Sequence, residues 1–156
     1  MRSVWRISNH TELNGLGGEK WDGRWHTAAP GKRIVYLSEH PAISLLETIA
    51  NLKGNPKLFP ETYQLLKVNV ADAVSANALV PGLLFEEWRD TPDETRKIGD
   101  SWLAKRESAL LAVPSVPVPE STNYLLNPLH PDAGNVTIEW NKRIAYDKRL
   151  FHVYDV

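Results

Sequence analysis

Eleven prolines interrupt the 156 residues, so the chain is expected to fold from short elements joined by many loops. Six tryptophans are the second constraint, a high number for this length that supplies large apolar surfaces to a small protein. A helical bundle is therefore not expected. At this length the chain reads as one domain over residues 1–156, long enough to bury most of what its unfolded form exposes.

The pattern along the chain predicts more strands than helices. Val4 to Ser8 alternates weakly as a first strand, and Asn14-Gly15-Leu16-Gly17-Gly18 is a flexible loop. After the turn Pro30-Gly31, Arg33 to Ser38 is a β-branched and aromatic strand. Pro41 suits a first helical turn, and Ala42 to Lys53 reads as a helix ended by Gly54. Its apolar face comprises Ala42, Ile43, Leu45, Leu46, Ile49, Ala50 and Leu52, with Glu47 about 40° past Ile43 at the rim. Thr62 to Val70 is a strand, whereas Ala71 to Asn77 fits no single template.

Thr91-Pro92-Asp93-Glu94 has a threonine cap, a first-turn proline and a glutamate to complete a capping box, starting a helix that runs to about Lys105. Ala109 to Val113 is a buried strand, Val116 to Val118 an extended piece, and Val136 to Trp140 a last strand. The order is no regular βαβ alternation, which favours a compact α+β domain with a curved or split sheet.

Composition removes whole classes of function. The net charge of -1 argues against a nucleic-acid binder driven by phosphate neutralisation. Without cysteine there is no disulfide, thiolate zinc site or cysteine nucleophile, which suits a reducing cytosol. The N-terminus has no apolar run behind its charges, and no segment approaches the ~20 apolar residues of a membrane span. A cytoplasmic protein is expected. The histidines make no close metal-ligand spacing, so no metal is assigned. No phosphate loop, dinucleotide fingerprint or nucleophile elbow is present.

Four stretches carry chemistry instead: Gly23-Arg24-Trp25-His26, Val35-Tyr36-Leu37-Ser38, Leu45-Leu46-Glu47, and Val113-Pro114-Ser115 through Asn123-Tyr124-Leu125-Leu126-Asn127-Pro128. Arg24 can bind phosphate oxygens through two parallel hydrogen bonds. Tyr36 offers a flat face to an aromatic ring such as nicotinamide. Glu47 can stabilise the oxocarbenium-like state formed when a ribosyl bond breaks. Ser115, Asn123 and Asn127 can hold ribose hydroxyls or phosphate oxygens, and His26 lies beside Trp25. Each also has a plainer reading: an arginine stacked on tryptophan, a satisfied core tyrosine, a solvated helix glutamate, a structural turn.

As an ordered set, with Trp5-Arg6-Ile7 before them and Leu129-His130-Pro131 after, these stretches resemble the RES-domain family, named for an arginine, a glutamate and a serine. Arg24, Glu47 and Ser115 match that name, with Ser121 as the alternative serine. The resemblance implies an ADP-ribosyltransferase-like fold and a bacterial type II toxin that depletes NAD by hydrolysis or phosphorolysis, NAD being substrate rather than cofactor. Some members instead modify a protein with ADP-ribose. The implied partner is an Xre-type helix-turn-helix antitoxin that covers the active site and itself supplies DNA binding. His26 departs from the family, which often has a small polar residue there. A non-catalytic module that binds a nucleotide or a partner is the reading of a different class. The aromatic excess would serve a homodimer interface or the core equally.

Overall fold

The computed structural model describes residues 1–52, 60–79, 82 and 84–151. Among them, seven strands form one mixed sheet: β1 (Arg2–Ile7), β2 (Val35–Ser38), β3 (Thr62–Val70), β4 (Ala76–Ala78), β5 (Leu110–Pro114), β6 (Thr122–Leu126) and β7 (Val136–Ala145). The spatial order is β4-β5-β6-β2-β1-β3-β7, antiparallel except for the pair β4–β5. Two α-helices accompany it, α1 (Pro41–Asn51) and α2 (Pro92–Lys105). The α+β expectation therefore holds.

The sheet is nearly divided. β1 meets β2 through a single register pair, Trp5 with Ser38, whereas β1 pairs with β3 along its whole length from Arg2↔Val70 to Ile7↔Leu65. One half is thus β4-β5-β6-β2 and the other β1-β3-β7, joined at one point.

Strand alternation builds a core on each face. Val35 and Leu37 point to one side with Val4, Leu66, Val68, Leu110 and Leu126. Trp25, Trp102, Leu103, Leu111, Val113 and Leu125 fill the other, with Tyr36 and Trp88 packed against them. Three of the six tryptophans thus serve the α2 side.

Several local expectations change. Thr122–Leu126 is a central strand, paired with both β2 and β5, and was not read as one because proline, serine and asparagine surround a short apolar run. Val116 to Val118 forms bends rather than an extended piece. β7 continues to Ala145, past the expected end at Trp140, because β3 supplies partners along its whole length. β4 falls at the end of the segment left unassigned.

The capping box on α2 is not formed. The Thr91 hydroxyl turns back to donate to the Glu87 carbonyl at 2.9 Å, while Glu94 accepts from Lys97 Nζ at 3.0 Å. Proline at the first position and acidic residues in the first turn still suit that end. α1 starts on His40, whose Nδ1 accepts from the Ala42 amide at 3.1 Å. It ends at Asn51, and the expected extension through Lys53 to Gly54 lies outside the described residues. The helix is also rotated from its expected face: Ile43 and Ser44 are buried while Ala42, Leu46 and Ala50 are exposed. That rotation turns Glu47 towards the sheet.

Candidate functional site

The C-terminal ends of β2 and β5 and the start of β6 lie together. In this register Ser38 faces Asn123, and Asn123 faces Val113, one residue before Pro114-Ser115. Glu47 reaches into this corner from α1. Its Oε1 accepts from Ser115 Oγ at 2.8 Å and from Asn123 Nδ2 at 2.7 Å. Asn123 Oδ1 in turn accepts from Ser38 Oγ at 2.8 Å. Ser38, Ser115 and Asn123 are all buried, so the carboxylate is held on one oxygen by a fixed set of donors. Ser121 meets this corner only through its backbone, accepting from the Ser115 amide at 2.9 Å.

Tyr36 stands two residues before Ser38 on the same face, about 7 Å along the strand. Its hydroxyl accepts from the Trp25 amide at 3.1 Å and lies 2.7 Å from His26 Nδ1. His26 Nε2 lies 3.0 Å from the Gly18 carbonyl, which can only accept. The proton therefore belongs on Nε2, and Nδ1 receives the Tyr36 O–H. Burial pushes the Tyr36 phenol above its ordinary pKa and the His26 imidazole below its own, both consistent with a neutral pair. His26 is 2% exposed, and both its nitrogens are engaged within the protein. It fixes Tyr36 and the Leu16–Glu19 turn to each other.

α2 sets the Gly23-Arg24-Trp25 backbone. Thr95 Oγ1 donates to the Arg24 carbonyl at 2.6 Å, Arg96 Nε to the Gly23 carbonyl at 2.8 Å, and Asp100 Oδ1 accepts from the Thr27 amide at 2.9 Å. Gly99 lets the helix approach so closely that an added Cβ would lie 1.6 Å from the Trp25 carbonyl oxygen. Gly23 is confined too, its Cβ position falling 2.2 Å from Tyr36 Oη, a side-chain atom.

Arg24 is placed against Trp88. Its Nη2 donates to the Trp88 carbonyl, its guanidinium carbon lies 5.8 Å from the Trp88 ring centroid, and its Nε is buried without a partner. Burial and then the Arg96 charge lower its pKa, with Arg89 adding to them and Asp90 and Glu47 opposing. An arginine here remains charged regardless.

A cavity of about 780 Å³ opens where β1 and β2 separate, lined by residues including Arg6, Asn9, His10, Gly23, His26 and Tyr36. Arg24 is not among its lining residues. The structure thus brings Glu47 and Ser115 into contact, while Tyr36, two residues from Ser38 on the same strand face, lines the cavity, whose lining includes neither Glu47 nor Ser115. Asn127 is elsewhere, at the far end of β6. There its Oδ1 accepts from the Leu129 amide at 3.0 Å and its backbone pairs with Ala109, which makes it a turn residue. Asn123 and Ser38 stood in the chemistry-bearing stretches, but their link to Glu47 was not foreseen. Their signal was a polar position on the inward face of an otherwise apolar strand. Among the described residues, no cluster of histidine and acidic side chains could hold a metal ion, and no helix is long and apolar enough to cross a membrane.

The family model for the RES domain matches residues 3–148. The chain belongs to the RES-domain family. It is 39% identical over 151 residues to Toxin Res from Pseudomonas putida, covering 95% of this chain and 99% of that protein. It is 37% identical to the Prs ADP-ribosylating toxin from a Sphingobium species, covering 95% and 96% respectively. A chain in the crystal structure of the M. tuberculosis MbcT-MbcA toxin-antitoxin complex superposes with a TM-score of 0.75, over 96% of this chain and 86% of that one. At 14% identity that likeness speaks for the fold alone.

Proposed function

We propose that this RES domain is the toxin of a toxin–antitoxin pair and that it consumes NAD by breaking the nicotinamide–ribose bond. The observation that carries the reading is the Glu47 carboxylate, held by Ser115 and Asn123 beside the Tyr36 cleft. Bond breakage leaves positive charge on the ribosyl anomeric carbon, and an oriented carboxylate stabilises that charge without having to reorganise. The Tyr36 ring positions the nicotinamide riboside end. Arg24 adds a fixed cation that anchors a phosphate through the edge its Trp88 contact leaves free. His26 holds Tyr36 in place, and Asn127 serves the fold of the adjoining turn.

The electron pair of the broken bond leaves with nicotinamide, and an acceptor closes the cation. Water gives ADP-ribose and a proton; inorganic phosphate gives ADP-ribose 1″-phosphate. The Sphingobium relative, named as ADP-ribosylating Prs, favours a second reading in which a protein side chain is the acceptor. Purified protein incubated with NAD, with and without phosphate, and analysed by mass separates these products. Free ADP-ribose or its phosphate supports the first reading, and a modified protein target without bulk NAD loss supports the second. Intact NAD under all conditions would leave a non-catalytic binding module.

The partner in this reading is an antitoxin of Xre helix-turn-helix type that covers the site. Leu46, 41% exposed beside Glu47 on α1, gives such a partner an apolar contact next to the carboxylate. NAD is substrate here, and the family likeness to ADP-ribosyltransferases belongs to the same proposal.

A further inference from the structure

Most of the tryptophans have a partner within the protein. Trp5 and Trp140 meet edge to face, Trp25 packs against Trp88, and Trp102 Nε1 donates to Ser108 Oγ at 2.9 Å. Trp21 differs. It is 75% exposed, and among the described residues no ring or cation stands against it. It nevertheless lines the cavity that opens between β1 and β2, with Leu16, 44% exposed, on the same lining. An indole left in water at a cavity wall forgoes the burial that stabilises the others, and its flat face stays available to a ligand.

The ring is exposed but its backbone is held. The Trp21 amide donates to the Gly17 carbonyl at 3.2 Å, the Gly18 carbonyl meets His26 Nε2 at 3.0 Å, and Glu19 pairs with Arg33 at 3.1 Å. On the other side of Trp21, Asp22 Oδ1 accepts from the Ala28 amide at 2.7 Å. A side chain on so fixed a turn needs little ordering when something stacks on it.

Tyr36 is a second flat ring on the same lining. Its Oη abuts Gly23, and Trp21 lies two residues before that glycine, at most ~7 Å of chain. Both rings thus face one space of about 780 Å³, within the range of small-molecule sites. Asn9 and Thr11 line it too. Neither the Asn9 Nδ2 nor the Thr11 hydroxyl has a partner among the described residues, so both can meet the edge of a base. A dinucleotide has a flat ring at each end, and a cleft with two flat walls answers both.

We propose that Trp21 is the stacking platform for the purine base of the dinucleotide, leaving the Tyr36 side to the nicotinamide end. This rests on the reading of the chain as an enzyme of NAD. It adds a group that tells a dinucleotide from nicotinamide mononucleotide, which has no second base.

The test is calorimetric titration of the full chain with ADP-ribose, adenosine monophosphate and nicotinamide mononucleotide, in wild type, Trp21→Phe and Trp21→Leu. Replacing so exposed a side chain removes little packing, so both variants are expected to fold. Trp21→Leu stays apolar but loses the flat face. It is expected to weaken ADP-ribose and adenosine monophosphate binding roughly fivefold to a hundredfold, with nicotinamide mononucleotide affinity kept within about twofold. Trp21→Phe, a smaller ring, should fall between. Equal ADP-ribose affinity in wild type and Trp21→Leu overturns the assignment. A loss confined to nicotinamide mononucleotide also overturns it, since Trp21 would then serve the other ring. Trp21-dependent ADP-ribose binding by a protein that leaves NAD intact upholds the platform while removing the NAD-consuming reading. NAD consumption with a KM that Trp21→Leu does not alter keeps that reading while removing the platform. The two can therefore fail separately.

Discussion

The Glu47 corner and the β1–β2 cleft sit on either side of Ser38 and are built in opposite ways. At the corner, Ser38, Asn123, Ser115 and Glu47 form a chain in which one protein group answers the next. In the cleft, Trp21 has no ring or cation against it among the described residues. A closed set of hydrogen bonds fixes a group before any ligand arrives, which suits a charge needed only in the transition state. An open set gains its partners from the ligand, which suits binding. The two regions should therefore respond to mutation in different quantities: rate at the corner, affinity in the cleft.

The largest effect should come from Glu47→Gln, which keeps the shape and removes the charge. Steady-state release of nicotinamide from NAD should fall roughly 100- to 1,000-fold, while ADP-ribose affinity stays within about threefold. Parallel losses in both would erase the distinction between the regions.

Next in size is a change to the frame that carries both. Gly99→Ala should lower stability by about 3 kcal/mol in denaturant unfolding, because the new methyl meets the Trp25 backbone, which cannot move aside. Gly23→Ala should cost less, since the atom it meets belongs to the Tyr36 side chain.

Ser115→Ala and Asn123→Ala each remove one donor to Glu47 and should reduce turnover roughly tenfold. Added to Glu47→Gln they should do little more, because the three act as a unit. Additive losses would mean that Ser115 and Asn123 have separate roles.

The smallest effect concerns the cleft wall. His26 has its folded pKa lowered from 6.5, chiefly by burial, with the Gly18 hydrogen bond, Asp100 and Asp22 opposing and Lys32 adding to the lowering. Between the folded value and 6.5 the unfolded chain binds more protons, so stability rises with pH across that window. Stability should be complete above about 6.5 and decline as pH falls towards the folded value. Melting temperatures recorded from pH 5 to 8 should show this slope, and His26→Asn should lack it.

Much of this was legible in the chain, and what was missed had physical causes. β2, β3 and the start of α2 follow from β-branched runs and from Thr91-Pro92. β6 did not, because a central strand buried on both faces loses the alternation that marks a half-exposed one. Glu47 was recognised at the rim of its helix and Ser115 as its family partner. The rotation of α1 and the Asn123 contact depend on register between strands far apart in sequence, which no local pattern encodes. Arg24 was read as a phosphate ligand or an arginine stacked on tryptophan, and the tryptophan it meets is Trp88, 64 residues away, which no local pattern indicates. Arg6 stood in Trp5-Arg6-Ile7 without a role, since only the parting of β1 from β2 makes it a cavity residue.

A crystal structure of the Glu47→Gln variant with NAD would test most directly whether cleft and corner serve one molecule. The anomeric carbon of the nicotinamide ribose should lie against residue 47 and Ser115, with the nicotinamide end beside Tyr36. Density for the dinucleotide in another groove, such as the apolar one lined by Leu79, Phe85 and Trp88, would contradict the account.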